Sequence, residues 1–200
     1  MSNLATAKSV TFVDVETTSL DSTRSAILQI AIITDWDDGK QDVWETKIKP
    51  RDIELRFADK QALEICKYNK EEWEDAPSFE DVAKTIAKKL SWGPIVGHNI
   101  QFDVDHIAAA FKRRGWQPIG RNDNIYDVLE SDEKKYKIGY PVIDTCALAF
   151  LFTPTDRQNL NALREHFGLD TNRAHDAGND VEDCRTVFYN ILNMKLSDVI

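Results

Sequence analysis

The sequence predicts an α/β domain in which a mixed sheet with flanking helices carries an antiparallel strand near one edge. Three β-like segments come first, and helical and β-like segments alternate after them. This order is typical of a sheet covered by helices. A length of 200 residues corresponds to one domain with a substantial core. We therefore expect a loose lead-in at residues 1–8 and a single domain over residues 9–200.

The first three predicted strands are separated by short polar segments. Residues 9–16 alternate and are rich in Val and Phe, residues 27–34 form a continuous apolar run, and residues 43–49 alternate again. A cluster of turn residues at 35–40 separates the second strand from the third, and Pro50 ends the third. The three strands are therefore expected to be joined by hairpin connections.

Helical spacing begins after the third strand. We predict one helix over residues 58–68 and a second that begins at the N-cap Ser78, where Asp81 three residues later completes a pattern close to a capping box. Gly93-Pro94 breaks the second helix, and residues 95–96 form a short strand.

The second half of the chain continues the alternation. We predict a helix over residues 102–114 that stops at Gly115, and a last short strand at residues 142–143. Two closing helices are expected at residues 160–167 and 181–194.

The segment from Pro118 to Pro141 has no clear period and many polar residues. Long segments of this kind are either functional lids or insertions. Because nothing in it has catalytic spacing, we interpret residues 118–141 as a surface insertion.

Composition bounds the class of protein. With 42% hydrophobic and 30% charged residues, the chain is expected to be a soluble globular protein. It contains no apolar run of membrane-spanning length, and its N-terminus lacks the apolar region of a signal peptide. We therefore expect a cytoplasmic protein without a membrane partner.

Three widely spaced cysteines, Cys66, Cys146 and Cys184, form no metal motif and are interpreted as small buried residues.

The formal net charge of −9 argues against broad binding of duplex nucleic acid by a basic patch. It does not exclude a nuclease, because bound metal ions would neutralise several carboxylates. A site that grips only one strand end also needs few phosphate contacts.

Asp14 and Glu16 form the first chemical motif. They lie two residues apart on a predicted strand, so both side chains leave the same face, which also carries Phe12. Two adjacent carboxylates repel each other unless a cation lies between them. Taken alone, the pair is also compatible with a strand that ends in solvent. The loop at residues 17–20 follows directly and is rich in hydroxyl groups that suit a sugar or a phosphate.

Asp103 lies near the start of a predicted helix, where an acid is also favoured by the helix dipole alone. The preceding Gly97-His98-Asn99 turn and the aromatic Phe102 add hydrogen-bond donors and a stacking ring beside it. These neighbours favour a functional role for Asp103.

His175 and Asp180 are five residues apart. On one helix they would be separated by about 140° and could not share a face. The pair can act together if His175 lies in a loop and Asp180 in the first turn of the following helix. Without the other motifs, two solvent-exposed polar residues would be the simpler explanation of the pattern.

Taken together and in this order, the motifs resemble those of the DEDDh group of 3′→5′ exonucleases, the family of proofreading subunits, RNase T and oligoribonuclease. The matching patterns are Asp-x-Glu-Thr-Thr at residues 14–18, His-Asn-x-x-Phe-Asp at 98–103 and His-x-x-x-x-Asp at 175–180. Residues 142–145 resemble a further segment of the family. The resemblance covers roughly residues 9–194.

The resemblance implies a ribonuclease H-like fold and release of nucleoside 5′-monophosphates from free 3′ ends of single-stranded DNA or RNA, with DNA slightly favoured. It implies two divalent cations, Mg²⁺ or Mn²⁺, and His175 as general base. The implied metal ligands are Asp14, Glu16, Asp103 and Asp180. The implied contacts to the terminal nucleotide are Thr17, Thr18, Leu20, Asn99 and Phe102. Three residues depart from the common pattern: Ser19 stands in place of Gly, and Gly178 and Val181 lie on either side of Asp180, where Ala is commoner. Gly178 fits a flexible His175 loop.

Other functions remain open at this point. One is an exoribonuclease that trims RNA or degrades short RNAs, and another is a polymerase-associated end-binding module without activity, against which the complete ligand set argues. Residues 183–188 resemble RNase T, whose relatives form dimers, so a homodimer and a polymerase partner both stay open. The tryptophans are interpreted mainly as packing residues, and His106 and His166 as ordinary helix residues.

Overall fold

The computed structural model describes residues 7–115, 127–129, 135–137 and 141–194, and a five-stranded mixed sheet lies at its centre. The described strands are β1 (Ser9–Thr17), β2 (Ile27–Trp36), β3 (Gln41–Lys47), β4 (Ile95–Gly97), β5 (Asp127–Leu129), β6 (Lys135–Lys137) and β7 (Val142–Asp144). The order in the main sheet is β3-β2-β1-β4-β7, and β5 and β6 form a separate antiparallel pair.

Eight α-helices are described, with a 3₁₀ turn at Thr171–Arg173 before the last of them. They are α1 (Asp52–Leu55), α2 (Lys60–Ile65), α3 (Lys70–Trp73), α4 (Phe79–Leu90), α5 (Gln101–Lys112), α6 (Thr145–Phe152), α7 (Leu160–Phe167) and α8 (Ala177–Asn193).

The sheet has the predicted mixed character. β2 runs antiparallel to both β1 and the edge strand β3, whereas β4 runs parallel to β1 and β7 parallel to β4. An antiparallel strand therefore lies next to one edge, as the order of the segments predicted. The β1–β2 register places Asp14 opposite Ala31 and Glu16 opposite Gln29, with an irregularity between Glu16 and Thr17.

Alternate residues of β1 pack on opposite faces of the sheet. Val13 and Val15 belong to the larger core, which α4 and α5 cover. Phe12 belongs to the core on the other face, where its ring packs edge to face on Phe188 of α8 at 5.5 Å. Because Asp14 and Glu16 share the face of Phe12, both carboxylates lie on the side of the sheet that α8 covers.

The predicted helix boundaries agree with the structure where a cap is encoded. Ser78 and Asp81 form the predicted capping box, in which Ser78 N donates to the Asp81 carboxylate at 2.9 Å and Asp81 N to Ser78 Oγ at 3.3 Å. Gly115 follows α5 with a φ of +77°, the left-handed conformation of a helix stop. The helix predicted over residues 58–68 is shorter, because Lys67 adopts a φ of +52° after α2.

Three helices were not predicted. Two of them, α1 and α3, are single turns of four residues, too short to show a period. The third, α6, is apolar along most of its length, so its sequence shows no amphipathic pattern.

Most of the predicted 118–141 insertion lies outside the described residues, apart from the β5–β6 pair and residue 141. Residues 1–6 of the predicted lead-in lie outside them as well. Along the described ranges, no helix has both the length and the apolar character needed to span a membrane.

Candidate active site

The junction between β1 and α5 brings the first two motifs together. The Asp103 side chain is buried at the start of α5, and its Oδ1 accepts a hydrogen bond of 2.9 Å from the backbone N of Val15. Val15 lies between Asp14 and Glu16 on β1. This bond therefore fixes the third acid beside the first two, although it is 88 residues away in the chain.

The first turn of α8 supplies the last acid. Asp176 is the N-cap of α8, and its carboxylate accepts from Asn179 N at 3.0 Å. His175 lies in the loop just before it with a φ of +65°, and Asp180 lies in the first turn. This is the loop-and-helix arrangement that the spacing of the two residues required. The ligand atoms of Glu16, His175 and Asp180 lie within 4.8 Å of one another.

The acids are electrostatically unfavourable as a group. Burial raises the pKa of Asp14 well above its ordinary value, and the nearby carboxylates of Asp103 and Asp180 raise it further. Burial also raises the pKa of Asp103, although the Val15 N–H opposes the shift. For Glu16, burial is again the main cause of a raised pKa. Together with Asp180, these three carboxylates offer the oxygen donors that a hard divalent cation requires, so the residues fit such an ion.

A buried arginine contacts Asp180. The Arg164 Nη2 donates to Asp180 Oδ1 at 2.6 Å, and the backbone N of His175 donates to Asp180 Oδ2 at 3.3 Å. This role of Arg164 is not among those predicted from the sequence. A signal was present, because Arg164 occupies an apolar-face position of α7, four residues after Leu160 and one after the buried Leu163.

Cys66 corrects the expectation for the cysteines. Its side chain is half-buried, and the thiol donates to Glu16 Oε2 at 3.1 Å. Burial raises the pKa of the Cys66 thiol. Cys184 is buried as expected, whereas Cys146 is also half-buried. The contact joins residues 50 positions apart, so no local pattern in the sequence could indicate it.

The loop after β1 uses its own hydroxyl groups. The Thr17 hydroxyl donates to Ser19 O at 3.0 Å, and the Thr18 Oγ1 accepts from Ala26 N at 2.9 Å. Both threonines are buried, whereas Leu20 is 84% exposed. The two hydroxyls therefore shape the loop, and Leu20 is the side chain of this segment that is presented to solvent.

The candidate residues of the second motif lie opposite this loop. Asn99 is exposed with a φ of +58°, and its backbone N donates to Asp144 Oδ1 at 2.9 Å. Phe102 is half-buried, and the His106 ring packs on it with a centroid distance of 4.1 Å.

His106 is more than the ordinary helix residue that its position in the sequence indicated. It is buried, with Nδ1 2.8 Å from Phe102 O and Nε2 3.1 Å from Ser19 O. It therefore connects the loop after β1 to α5. His166 is exposed, as expected for a residue on the outside of a helix.

Gly178 lies close to an acidic side chain of the edge strand β3. It lies in the first turn of α8, where a Cβ would collide with the carboxylate of Glu45 on β3. That carboxylate is the far end of a flexible side chain and can move aside, so the contact does not set the distance between β3 and α8. The expectation that Gly178 serves the flexibility of the His175 loop stays a prediction.

Two clefts lie beside the start of α8. One of about 440 Å³ lies between the first turn of α7 and the His175 loop, and Asp180 and Arg164 line it. The other, of about 310 Å³, lies between β3 and the first turn of α8 and is lined by Glu45 and Asp176, among others. The first of these clefts, lined by His175 and Asp180, leaves that end of the candidate site accessible to a ligand.

Comparison with known proteins agrees with this geometry. The RNase_T family model, described as Exonuclease, matches residues 11–188. The chain is 26% identical over 197 residues to the PolC-type DNA polymerase III of Bacillus cereus, covering 94% of this chain and 11% of that protein. It is 33% identical over 108 residues to the 3′-5′ exonuclease DinG of Staphylococcus haemolyticus, covering 54% of this chain and 10% of that protein. The chain thus spans about a tenth of the length of these relatives.

The fold is also found among solved structures. E. coli exonuclease I in complex with a dT13 oligonucleotide superposes with a TM-score of 0.71 at 18% identity, over 92% of this chain and 40% of that one. This likeness confirms the ribonuclease H-like fold that the motifs implied. The family match spans residues 11–188 and includes every acid that converges on the end of β1, so this chain belongs to the RNase_T exonuclease family.

Proposed function

We propose that this chain is a metal-dependent 3′→5′ exonuclease that hydrolyses single-stranded nucleic acid from free 3′ ends and releases nucleoside 5′-monophosphates. The convergence of three separate stretches carries the proposal. Asp103 accepts a hydrogen bond from the backbone N of Val15, which lies between the first two acids. One ligand atom each from Glu16, His175 and Asp180 lie within 4.8 Å of one another. Packing alone does not explain a group of acids whose burial raises their pKa values.

We assign Asp14, Glu16, Asp103 and Asp180 as protein ligands of two divalent cations. Members of this family depend on divalent metal, and a donor set made only of carboxylates suits Mg²⁺ or Mn²⁺ better than zinc. A pair of such cations, when bound, supplies activation of the attacking water and stabilisation of the leaving oxygen. The contribution of the protein is to hold the four carboxylates together despite their mutual repulsion.

His175 is assigned as the general base. Its side chain is exposed in the loop before α8, and its ring makes no hydrogen bond to any residue within the described ranges. A histidine with such freedom can reach a water beside Glu16 and Asp180. Histidine is a common general base because an imidazole can accept and release a proton under mild conditions.

The terminal nucleotide is proposed to bind between the loop after β1 and the start of α5. Leu20 and the half-buried ring of Phe102 offer apolar surface to the base and sugar. Asn99 is exposed beside them and offers an amide. Because their hydroxyls are used within the loop, Thr17 and Thr18 are proposed to act mainly through their backbone.

DNA is the favoured substrate in this proposal. The PolC-type relative is a DNA polymerase, and the matching exonuclease I structure contains a dT13 oligonucleotide. Both observations support single-stranded DNA over RNA. They strengthen the slight preference for DNA that was expected from the sequence.

Digestion of end-labelled oligomers tests the proposal. A 5′-labelled single strand of DNA with Mn²⁺ should yield a ladder that shortens by one nucleotide at a time, whereas a 3′-labelled strand should release labelled mononucleotide at once. A 3′-phosphate should block the reaction, and EDTA should abolish it. Parallel RNA strands measure the preference for DNA. Efficient cutting of a circular single strand would contradict an exonuclease.

A further inference from the structure

Arg164 is a charged side chain in the interior of the helical layer. Its side chain is 1% exposed, and its guanidinium lies between α7 and α8. Nε donates to Asp183 Oδ2 at 2.7 Å, Nη2 to Asp180 Oδ1 at 2.6 Å, and Nη1 to Asn161 Oδ1 at 2.7 Å. Three partners hold the planar guanidinium in one orientation.

The charge of Arg164 is offset by neighbours outside the acid cluster. Asp183 is 1% exposed and also accepts from Arg173 Nη2 at 2.6 Å. Arg173 in turn lies 3.6 Å from Glu182. These two arginines and two acids carry no net charge as a group, so Arg164 does not act on Asp180 as an isolated cation.

Resting on the function proposed above, we propose that Arg164 is a positioning residue of the metal centre. Its guanidinium holds Oδ1 of Asp180 and so keeps the carboxylate turned toward Glu16 and His175, whose ligand atoms lie within 4.8 Å of it. An aspartate carboxylate otherwise rotates broadly about its terminal torsion. Arg164 limits that rotation before any cation binds.

The proposal predicts the sign of an effect on metal affinity. A positive charge beside a ligand opposes cation binding, whereas a fixed ligand orientation favours it. Because Asp183 offsets the charge of Arg164, we expect the orientation effect to dominate. Partners that orient metal ligands are typically worth about 10- to 100-fold in affinity.

Metal binding without nucleic acid provides the test, with Mn²⁺ titrated calorimetrically into the whole chain. Arg164→Met should weaken Mn²⁺ binding by about 10- to 100-fold. Arg164→Lys should recover part of the loss, because an ammonium can still donate to Asp180. Arg173→Met is the matched control, since it removes an arginine partner of Asp183 that makes no hydrogen bond to Asp180 within the described residues. It should change the affinity far less.

Folding is controlled by a second variant and by melting in EDTA. Arg164→Met leaves the buried carboxylate of Asp183 with one of its two arginine partners. The double variant Arg164→Met/Asp183→Asn also removes the charge of Asp183, and it should show the same weak Mn²⁺ binding. Equal or tighter binding by the folded Arg164 variants overturns the proposal, as does an equal loss in Arg173→Met. A wild-type chain that binds no Mn²⁺ overturns the proposed function as well, whereas failure of the Arg164 variants alone leaves that function standing.

Discussion

The backbone N of Val15 donates a hydrogen bond of 2.9 Å to Oδ1 of Asp103. The N–H of Thr11 points to the same edge of β1 and donates to Pro94 O at 2.9 Å. Since β4 pairs with β1 only at Thr11 and Phe12, the N–H of Val15 has no strand partner on that edge. Asp103 satisfies this buried donor and at the same time joins the acid cluster.

Because Asp103 both accepts from Val15 and joins the acids, two substitutions at this position should distinguish its contribution to stability from its contribution to activity. Asp103→Asn keeps an oxygen that can accept from Val15 and should remain stably folded in EDTA. Asp103→Ala leaves the N–H of Val15 without a partner and should be less stable than Asp103→Asn by about 1–3 kcal/mol. Both should lose nuclease activity. Chemical denaturation and oligonucleotide digestion measure the two effects, and equal stabilities would contradict the structural role of the bond.

Divalent metal should stabilise the fold, because it removes the repulsion among the four carboxylates. The melting temperature should rise with Mn²⁺ or Mg²⁺ and not with Na⁺ at equal ionic strength. Asp14→Asn and Asp180→Asn should stay folded and lose most of the rise. Thermal melts of the three proteins provide the measurement, and identical metal-induced shifts would remove the assignment of these residues as ligands.

The metal-free protein should have an unusual dependence on pH. Burial and neighbouring carboxylates raise the folded pKa of Asp14 above its ordinary value of 3.8. A raised folded pKa means that protonation favours the folded state, so the stability from the neutral acid is present at low pH and is lost as pH rises through the raised pKa. In EDTA at neutral pH, Asp14→Asn should therefore be more stable than wild type. That advantage should shrink as pH falls, and a constant difference across the range would show that the charge of Asp14 is not destabilising.

Loss of His175 should slow the reaction and leave the metals bound. His175→Ala should reduce the rate by about 10²- to 10⁴-fold at saturating Mn²⁺, the usual contribution of a positioned acid–base group. The Mn²⁺ affinity from calorimetry should change little, because the proposed ligands are the four acids. Near-normal turnover at saturating metal would show that another group takes the proton.

His106 is expected to affect substrate binding more than chemistry. Its Nε2 lies 3.1 Å from Ser19 O, and its ring packs on Phe102, so it connects both sides of the proposed nucleotide pocket. His106→Leu should raise KM by about 5- to 10-fold, as expected for the loss of one hydrogen bond worth about 1 kcal/mol, with a smaller change in kcat. Steady-state kinetics on a short single strand measures the two parameters. A fall in kcat with unchanged KM would argue against this role.

The sequence by itself determined the parts of the site that follow from local geometry. The period of two along β1 sets Asp14 and Glu16 on the face of Phe12, and the spacing of His175 and Asp180 requires a loop followed by a helix. Turn and cap residues such as Ser78 and Gly115 set the limits of helices, because their preferences act over three or four residues.

Only the tertiary structure decided which side chains support these acids. Arg164 reaches Asp180 from 16 residues away, Cys66 reaches Glu16 from 50 and His106 reaches Ser19 from 87. Contacts of this kind depend on how α7, α2 and α5 pack around the end of β1, and no period within one element encodes them. The apolar helix α6 was missed for a different reason, because its exposed side is apolar as well, with Phe150 71% and Leu151 64% exposed, so no polar face marks a helical period. Local preference therefore determined most of the elements, whereas packing between elements decided which side chains hydrogen-bond to the acids.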